Sequence, residues 1–502
     1  MVGLAGVSDH AGTPWLAIHA MWPFPAQEFS MLPVPALATA ALTAGVALFS
    51  HGTPTPTRNA RITDPVALTA IVARINARVP SFSRQTKLSC AMCHNGFPQL
   101  TAFGRLFKLN GYTLTGLPTI TEQVDSTKRK TLELSPIAPL SVMAIVSNTT
   151  MGKALAGTQG STTQFPQQLS LFAATEISPR AGIFAQLTYT DQSAAVALDN
   201  VDLRFASHAT LGDHDVLYGV TLHNNPTVQD VWNTLPAWGY PFTSSAVAPK
   251  PTASTVIDGT LSQRVLGLGA YALFNDMIYA ELTGYTSAPQ GAKLPLDDQA
   301  TNTTRGISPY WRVALQHTAG ETYMMVGTFG LMTELFPTGI SGYTNQYKDY
   351  GLDAQIERKV GAGGTLIGRA SYTKEDQNLV ASALAVPATA SKSSNTLNSY
   401  KLNLSWLPSP SHTLSAGIFG TSGTRDATLY PSGAVSGSAA GKPDSQGTIL
   451  EWTHTPWLNT RIGAQYVMYN KFNGGSTSYD EASGGRNASH NNALYFYLWL
   501  AY

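Results

Sequence analysis

The stretch LSCAMCHNGF contains both cysteines of a 502-residue chain, Cys90 and Cys93, with His94 directly after the second. Two thiols three positions apart are not the disulfide framework of a secreted domain, and there is no second cysteine pair to complete a zinc tetrahedron. C-x-x-C-H is the attachment pattern of haem c: the sulfurs form thioethers with the vinyl groups and the adjacent imidazole reaches the iron as axial ligand. A thioredoxin-like dithiol would need a βαβ setting that the flanking sequence lacks. The residues therefore predict one covalent haem c on Cys90 and Cys93, with His94 as its iron ligand.

Two residue types suit the opposite face of the iron. A histidine is one, and His223 is the candidate distal ligand because it faces inward where a long loop begins. A methionine, Met143 or Met151, would give a higher potential. For each the plain alternative is a wall residue. Arg84, Lys87, Arg105 and Lys108 surround the motif; Arg105 is the candidate propionate partner, the alternative being a solvated cation.

The segments that would hold a haem are helical. PVALTAIVARINARV has apolar residues at helical spacing after Asp64 and Pro65, and FPQLTAFGRLFKLNG puts Leu100, Phe103 and Phe107 on one face between Pro98 and Asn110-Gly111. Each is too short to form a core alone, and a haem between them would supply the missing apolar surface. Haem c is attached outside the cytoplasm, so an export signal is expected. Residues 31–49, MLPVPALATAALTAGVALF, supply its apolar core, with Met31 as an alternative start because no Lys or Arg precedes Arg58. The expected organisation is a signal region over 1–50, a monohaem cytochrome c domain with its linker over 51–130, and a transmembrane β-barrel over 131–502.

From about residue 138 the apolar period changes from 3.6 to 2. Val201, Leu203 and Phe205 alternate with Asp202, Arg204 and Ala206; Leu352, Ala354 and Ile356 alternate with Asp353, Gln355 and Glu357. About sixteen such segments have the length of tilted membrane strands. Short turns such as SPRA, LGDHD and TAGE alternate with long Gly/Ser/Pro-rich runs, the longest at 225–263. The terminal NALYFYLWLAY carries Leu494, Phe496, Leu498 and Leu500 at every second position, a pattern that invites aggregation in water but suits a closed barrel facing lipid. These features predict an all-β fold: an antiparallel outer-membrane β-barrel of about sixteen strands, porin-like, with a small α-helical c-type cytochrome as N-terminal plug. Short turns and both termini fall on the periplasmic side. Alternation points His208 as well as His223 into the lumen, puts His317 and His454 in the lipid-facing register, and leaves His214 and His412 at turns.

Composition agrees. Charged residues make up 12% of the chain, against about 25% in ordinary soluble domains. Apolar residues, 21 Tyr among them, reach only 43%, and the balance is filled by 44 Gly and uncharged polar residues. A net charge of +1 gives no electrostatic case for nucleic acid.

Three stretches carry a family resemblance: VPSFSRQTKLSCAMCHNGFPQLTAFGRLFKLNGY (79–112), LHNNPTVQDVWNTLPAWGYPF (222–242), and the barrel pattern through Tyr502. Together, from about residue 65 onward, they resemble the outer-membrane monohaem cytochrome–porin fusions that oxidise ferrous iron in iron-oxidising bacteria. The resemblance implies a ferrous iron oxidase, an iron:cytochrome c oxidoreductase set in outer-membrane lipid. Its haem would take electrons from external Fe(II) and pass them to a periplasmic cytochrome c or blue-copper protein. Fe(II) suits carboxylates and water, so Asp202, Asp230, Asp353 and Glu357 are candidate stations, the alternative being lumen charges balanced by Arg204 and its neighbours. A haem-plugged porin and a haem sensor with an open iron position would use the same parts.

Overall fold

The computed structural model describes residues 80–114, the backbone strands at 120–123 and 130–134, and residues 138–287 and 303–502 except 338, 340, 362, 458, 482 and 483. The expected export signal at 31–49 and helix at 65–79 lie outside the described residues.

The period-two segments form sixteen long strands that close into one antiparallel barrel. In chain order they are β1 (Leu140–Met151), β2 (Ser161–Ser178), β3 (Ala181–Thr190), β4 (Ala195–Leu211), β5 (His214–His223), β6 (Val265–Phe274), β7 (Ile278–Ser287) and β8 (Ser308–Ala319). The second half comprises β9 (Thr322–Phe336), β10 (Asn345–Val360), β11 (Gly364–Asn378), β12 (Ser394–Ser409), β13 (His412–Gly423), β14 (Ser445–Trp457), β15 (Thr460–Lys471) and β16 (Ala493–Ala501). The chain end closes the ring: β16 pairs with β1, Leu498 opposite Val146. Closure leaves no free edge for the apolar terminal strand to aggregate through.

Alternation decides which side is wet. Along β6, Leu266 and Leu268 point outward at 52% and 61% exposure, while Val265, Tyr271 and Leu273 point inward and are buried. Outward Leu282, Val313, Leu315, Val326, Leu352 and Leu404 continue an apolar exterior suited to lipid. All seven short turns lie at the end of the barrel where β16 finishes, here the terminal end; the longer connections lie at the opposite, loop end.

The connection after β5, residues 224–264, turns into the bore instead of standing outside it. Val228, Trp232, Leu235, Ile257 and Leu261 are almost wholly buried. Asp230 fixes its fold: one carboxylate oxygen accepts from the amide of Trp232 at 2.9 Å, the other from those of Thr234 at 3.0 Å and Leu235 at 3.1 Å.

The N-terminal unit also lies in the bore. It contains α1 (Ser81–Thr86), α2 (Cys90–Cys93) and α3 (Ala102–Leu109). The sequence places the start of α3 at Pro98; the helix in fact begins after Thr101, whose hydroxyl caps it by accepting from the amide of Gly104 at 3.1 Å. Pro98 instead sits in the tight turn joining His94–Gly96 to Gln99–Leu100. Wall residues grip the unit on several sides. Tyr112 donates to Asp202 at 2.7 Å, the Ser81 amide donates to the Ser141 hydroxyl at 2.6 Å, and Arg369 donates to Gln99 at 2.9 Å. Gly182 on β3 lets the wall touch the plug, since a methyl there would overlap the Gly111 carbonyl.

Candidate functional site

The single turn of α2 places Cys90 and Cys93 one helical step apart, hence on one face. His94 then leaves the helix in extended backbone, φ −126° and ψ 132°. The turn is braced from behind by α3: the Thr101 amide donates to the Cys93 carbonyl at 2.9 Å, and Gly104 approaches so closely that a methyl there would overlap that carbonyl oxygen.

In front of the turn lies a cavity of about 580 Å³, lined by Cys90, Cys93 and His94 on one side. Aromatic side chains form much of the rest: Phe82 and Phe107 from the plug, Phe172 and Phe184 from β2 and β3, Trp238 from the inward loop and Trp499 from β16. Phe82 meets Phe107 edge-on at 5.0 Å, Phe172 meets Phe184 at 5.7 Å, and Phe184 meets Trp238 at 6.0 Å. Size and lining are those of a site for a large, mostly apolar group.

The donor set fits haem c. One imidazole nitrogen of His94, Nδ1, is buried without a hydrogen-bond partner. The ring packs on Phe97 at 4.3 Å, and burial pushes its pKa down to about 4, which keeps it neutral and able to ligate a metal. Both cysteines are free thiols. Burial, then the neighbouring Cys90, pushes the Cys93 thiol up to about 11, and burial raises Cys90 too. A redox dithiol has the opposite bias, toward thiolate.

The remaining expected site residues divide into those that line this cavity and those that do not. His223 faces the bore, as alternation predicts, but does not reach the cavity. Its Nε2 lies 2.7 Å from the Tyr285 hydroxyl and its Nδ1 lies 3.1 Å from that of Thr221, so both nitrogens are engaged in the wall. Gly267, between them on β6, leaves the space through which Tyr285 reaches. Arg105 is likewise turned away: it pairs with Glu357 at 2.7 Å and lies over the Tyr323 ring at 4.1 Å. Arg84 donates to the carbonyls of Ala138 and Leu140, and Lys87 is exposed at the end of α1.

Two other cations do line the cavity. Lys108 donates to the carbonyls of Val228 at 2.6 Å and Asp230 at 2.9 Å, and burial lowers its pKa to about 7. Arg461 on β15 donates to the Phe97 carbonyl at 2.6 Å; sequence reasoning missed it, although its inward register on β15 was a usable signal. Met143 lines the cavity, whereas Met151 lies at the far end of β1. None of the four carboxylates considered for iron stands open. Asp202 holds Arg204 at 2.8 Å, Asp230 and Asp353 share Arg312, and Glu357 holds Arg105. His208 sits at the rim, 2.7 Å from the Asn110 side chain that ends α3.

No protein-family model and no curated protein matches this chain. Solved structures do resemble it at low identity. An anion-selective porin from Comamonas acidovorans is 13% identical, with 72% of this chain and 98% of that one covered and a TM-score of 0.41. Outer-membrane expressed OmpT of Vibrio cholerae is 11% identical over 73% and 98%, with a TM-score of 0.39. OmpF of Salmonella typhi in complex with daunomycin is 11% identical over 72% and 97%, at 0.41. The barrel itself, closed and antiparallel with an apolar exterior, defines the chain as a porin-like β-barrel.

Proposed function

We propose that the protein is an outer-membrane c-type cytochrome that oxidises extracellular Fe(II) and delivers the electron to a periplasmic cytochrome c or blue-copper protein. The observation that carries the reading is the cavity inside the bore, with two free thiols and an unpartnered imidazole nitrogen on one wall. Cys90 and Cys93 would hold the haem by thioethers and His94 would ligate its iron. Met143, which lines the cavity, would be the second ligand candidate in place of His223, which does not line it. A haem bound there supplies one-electron exchange: Fe(II) loses one electron to become Fe(III), and the periplasmic carrier gains it.

The chain's own residues set the conditions. Aromatic walls would lower the polarity around the iron, which favours the less charged redox state. Lys108, and Arg461, which also pairs with Glu451 at 3.8 Å, would be the cations nearest the propionates. With short turns and the chain end on the periplasmic side, the cavity faces the acceptor, and the loop end faces the medium where insoluble ferric product is harmless.

Stopped-flow spectroscopy of the purified protein mixed with Fe(II), from about pH 2 to pH 7, tests the reading. Reduction of the haem is expected within that range. Haem that stays oxidised throughout, with solute flux through reconstituted vesicles, would show a haem-plugged porin instead. Cys93→Ala is expected to abolish covalent haem retention on a denaturing gel.

A further inference from the structure

Where the returning limb of the inward loop meets the wall, two acidic side chains face each other. Asp349 on β10 and Glu375 on β11 stand directly opposite in the β10–β11 ladder, near the loop end of both strands. Both point inward and are 1% and 0% exposed. Opposed side chains on one face of a ladder are close neighbours, and here the two carboxyl groups are in hydrogen-bonding contact. The inward loop rests on them: the Ile257 amide donates to one oxygen of Asp349 at 2.8 Å, and the Val256 amide donates to one oxygen of Glu375. Gln377 donates to the second oxygen of Glu375 at 2.6 Å. The second oxygen of Asp349 is buried and receives no bond from an amide, amine or hydroxyl among the described residues.

Neither carboxyl forms an ion pair among the described residues. The groups around them offer no compensating charge. Asp258 of the inward loop is taken by Lys401 at 2.9 Å, and Asp376, on the outer side of β11, is taken by Lys374 at 3.1 Å. Tyr347 on β10 and Tyr430 in loop 424–444 contribute neutral phenols, while the flanking strands β9 and β12 present Leu331 and Leu397 at the paired positions. Two adjacent carboxylates buried without a cation cannot both stay ionised, because each disfavours the charge of the other and neither is solvated. Contact between two carboxyl oxygens becomes a hydrogen bond when one of them carries a proton.

We infer that Asp349 and Glu375 share one proton, and that this proton latches the Val256–Ile257 turn of the inward loop to the barrel wall, holding it at low pH and releasing it as pH rises. The sign follows from linkage: the latched pair binds one proton more than two separated carboxylates do near neutral pH, so raising the pH favours release. The segment affected is defined by packing. Val256, Ile257 and Leu261 belong to one cluster with Leu235, Tyr285, Tyr310 and Phe329, and losing the latch loosens that side of the loop. The Asp230 limb is held separately, by Arg312 at 2.7 Å and by the amides of Trp232, Thr234 and Leu235. The inference does not depend on the haem.

Hydrogen exchange of the full-length protein in non-ionic detergent, from about pH 4 to about pH 9 and corrected for the intrinsic pH dependence of exchange, tests it. Residues 255–262 should lose protection about tenfold or more as pH rises, equivalent to about 1.4 kcal/mol, while the Thr234 and Leu235 amides keep theirs. Asp349→Asn puts a permanent donor where the unpartnered oxygen stands and should keep the segment protected at every pH. Glu375→Gln should likewise abolish the pH dependence and decides the matter if Asp349→Asn does not fold; heat-modifiable gel migration verifies that each variant is a folded barrel. Asp376→Asn, on the outer side of the same strand, should retain the wild-type profile. Infrared difference spectra at neutral pH should show a protonated-carboxyl band in wild type that Asp349→Asn lacks. Protection of 255–262 that does not vary with pH, the same pH profile in wild type and a folded Asp349→Asn protein, or no difference in that band would overturn the inference.

Discussion

Replacing Gly104 by alanine tests whether the Cys90–His94 turn is shaped by α3. The added methyl would overlap the Cys93 carbonyl oxygen and lie 3.0 Å from its carbonyl carbon and 3.1 Å from its Cα, where carbon atoms prefer about 3.5–4.0 Å. All three are backbone atoms, so no rotamer change relieves the overlap and α3 must retreat by roughly half an ångström or more. The retreat stretches the bond from the Thr101 amide to the Cys93 carbonyl, now 2.9 Å. Overpacking costs about 1–3 kcal/mol, and the weakened bond costs about 1 kcal/mol more. The total of about 2–4 kcal/mol raises the open population of the plug by roughly thirty- to a thousandfold. It falls on residues 80–114 alone, because the barrel ladder does not pass through Gly104. Hydrogen exchange should therefore speed up in the plug and stay unchanged in β1 to β16, while covalent haem yield drops. Wild-type exchange and full haem loading in the Gly104→Ala protein would refute the claim that this contact builds the motif.

Three further outcomes follow from the same geometry. His223→Ala should leave the optical spectrum of the proposed haem unchanged while costing about 1–3 kcal/mol through the stranded Tyr285 and Thr221 hydroxyls; an altered spectrum would reinstate His223 as a ligand. Lys108 has a folded pKa of about 7 against an ordinary 10.5, so across that window the unfolded chain binds the extra proton and plug stability rises with pH. Lys108→Met should flatten that rise, measured as plug hydrogen exchange at pH values spanning the window. Burial alone would raise the Asp426 carboxyl, but bonds from the Leu429 amide and from Ser391 outweigh it and hold it below its ordinary 3.8. The contribution of Asp426 is therefore complete above pH 3.8 and lost only as pH falls further, so loop 424–444 should resist an acid protease down to that range and Asp426→Asn should be cut faster at any pH above it.

The barrel was legible because alternation is a property of each strand taken alone. Leu266, Leu268 and their outward neighbours announce the lipid face whatever surrounds them, and Gly/Pro-rich breaks mark where each strand stops. That Cys90, Cys93 and His94 share one turn at one cavity was legible for the same reason, their spacing being local. Partners across the bore were not. Arg105 meets Glu357 across 252 positions of chain, and His223 meets Tyr285 across 62; inward direction is encoded locally, but which inward groups touch depends on where loop 224–264 and the plug come to rest. The start of α3 was misplaced because Pro98 is a valid start signal in isolation, whereas Thr101 prevails once its hydroxyl caps the Gly104 amide.

A porin-type bore carries wet charges that solutes pass. Here Asp202 with Arg204, and Arg312 between Asp230 and Asp353, are essentially unexposed. Such pairs add little net stability, yet removing one partner strands a buried charge at a cost of about 3–5 kcal/mol. Their effect is thus on position more than on strength. Asp202 also receives the Tyr112 hydroxyl of the plug, and Asp230 belongs to the inward loop, so the same wall charges fix both occupants of the bore in a single arrangement. The ionic wall therefore fixes the plug, the inward loop and the barrel in one register.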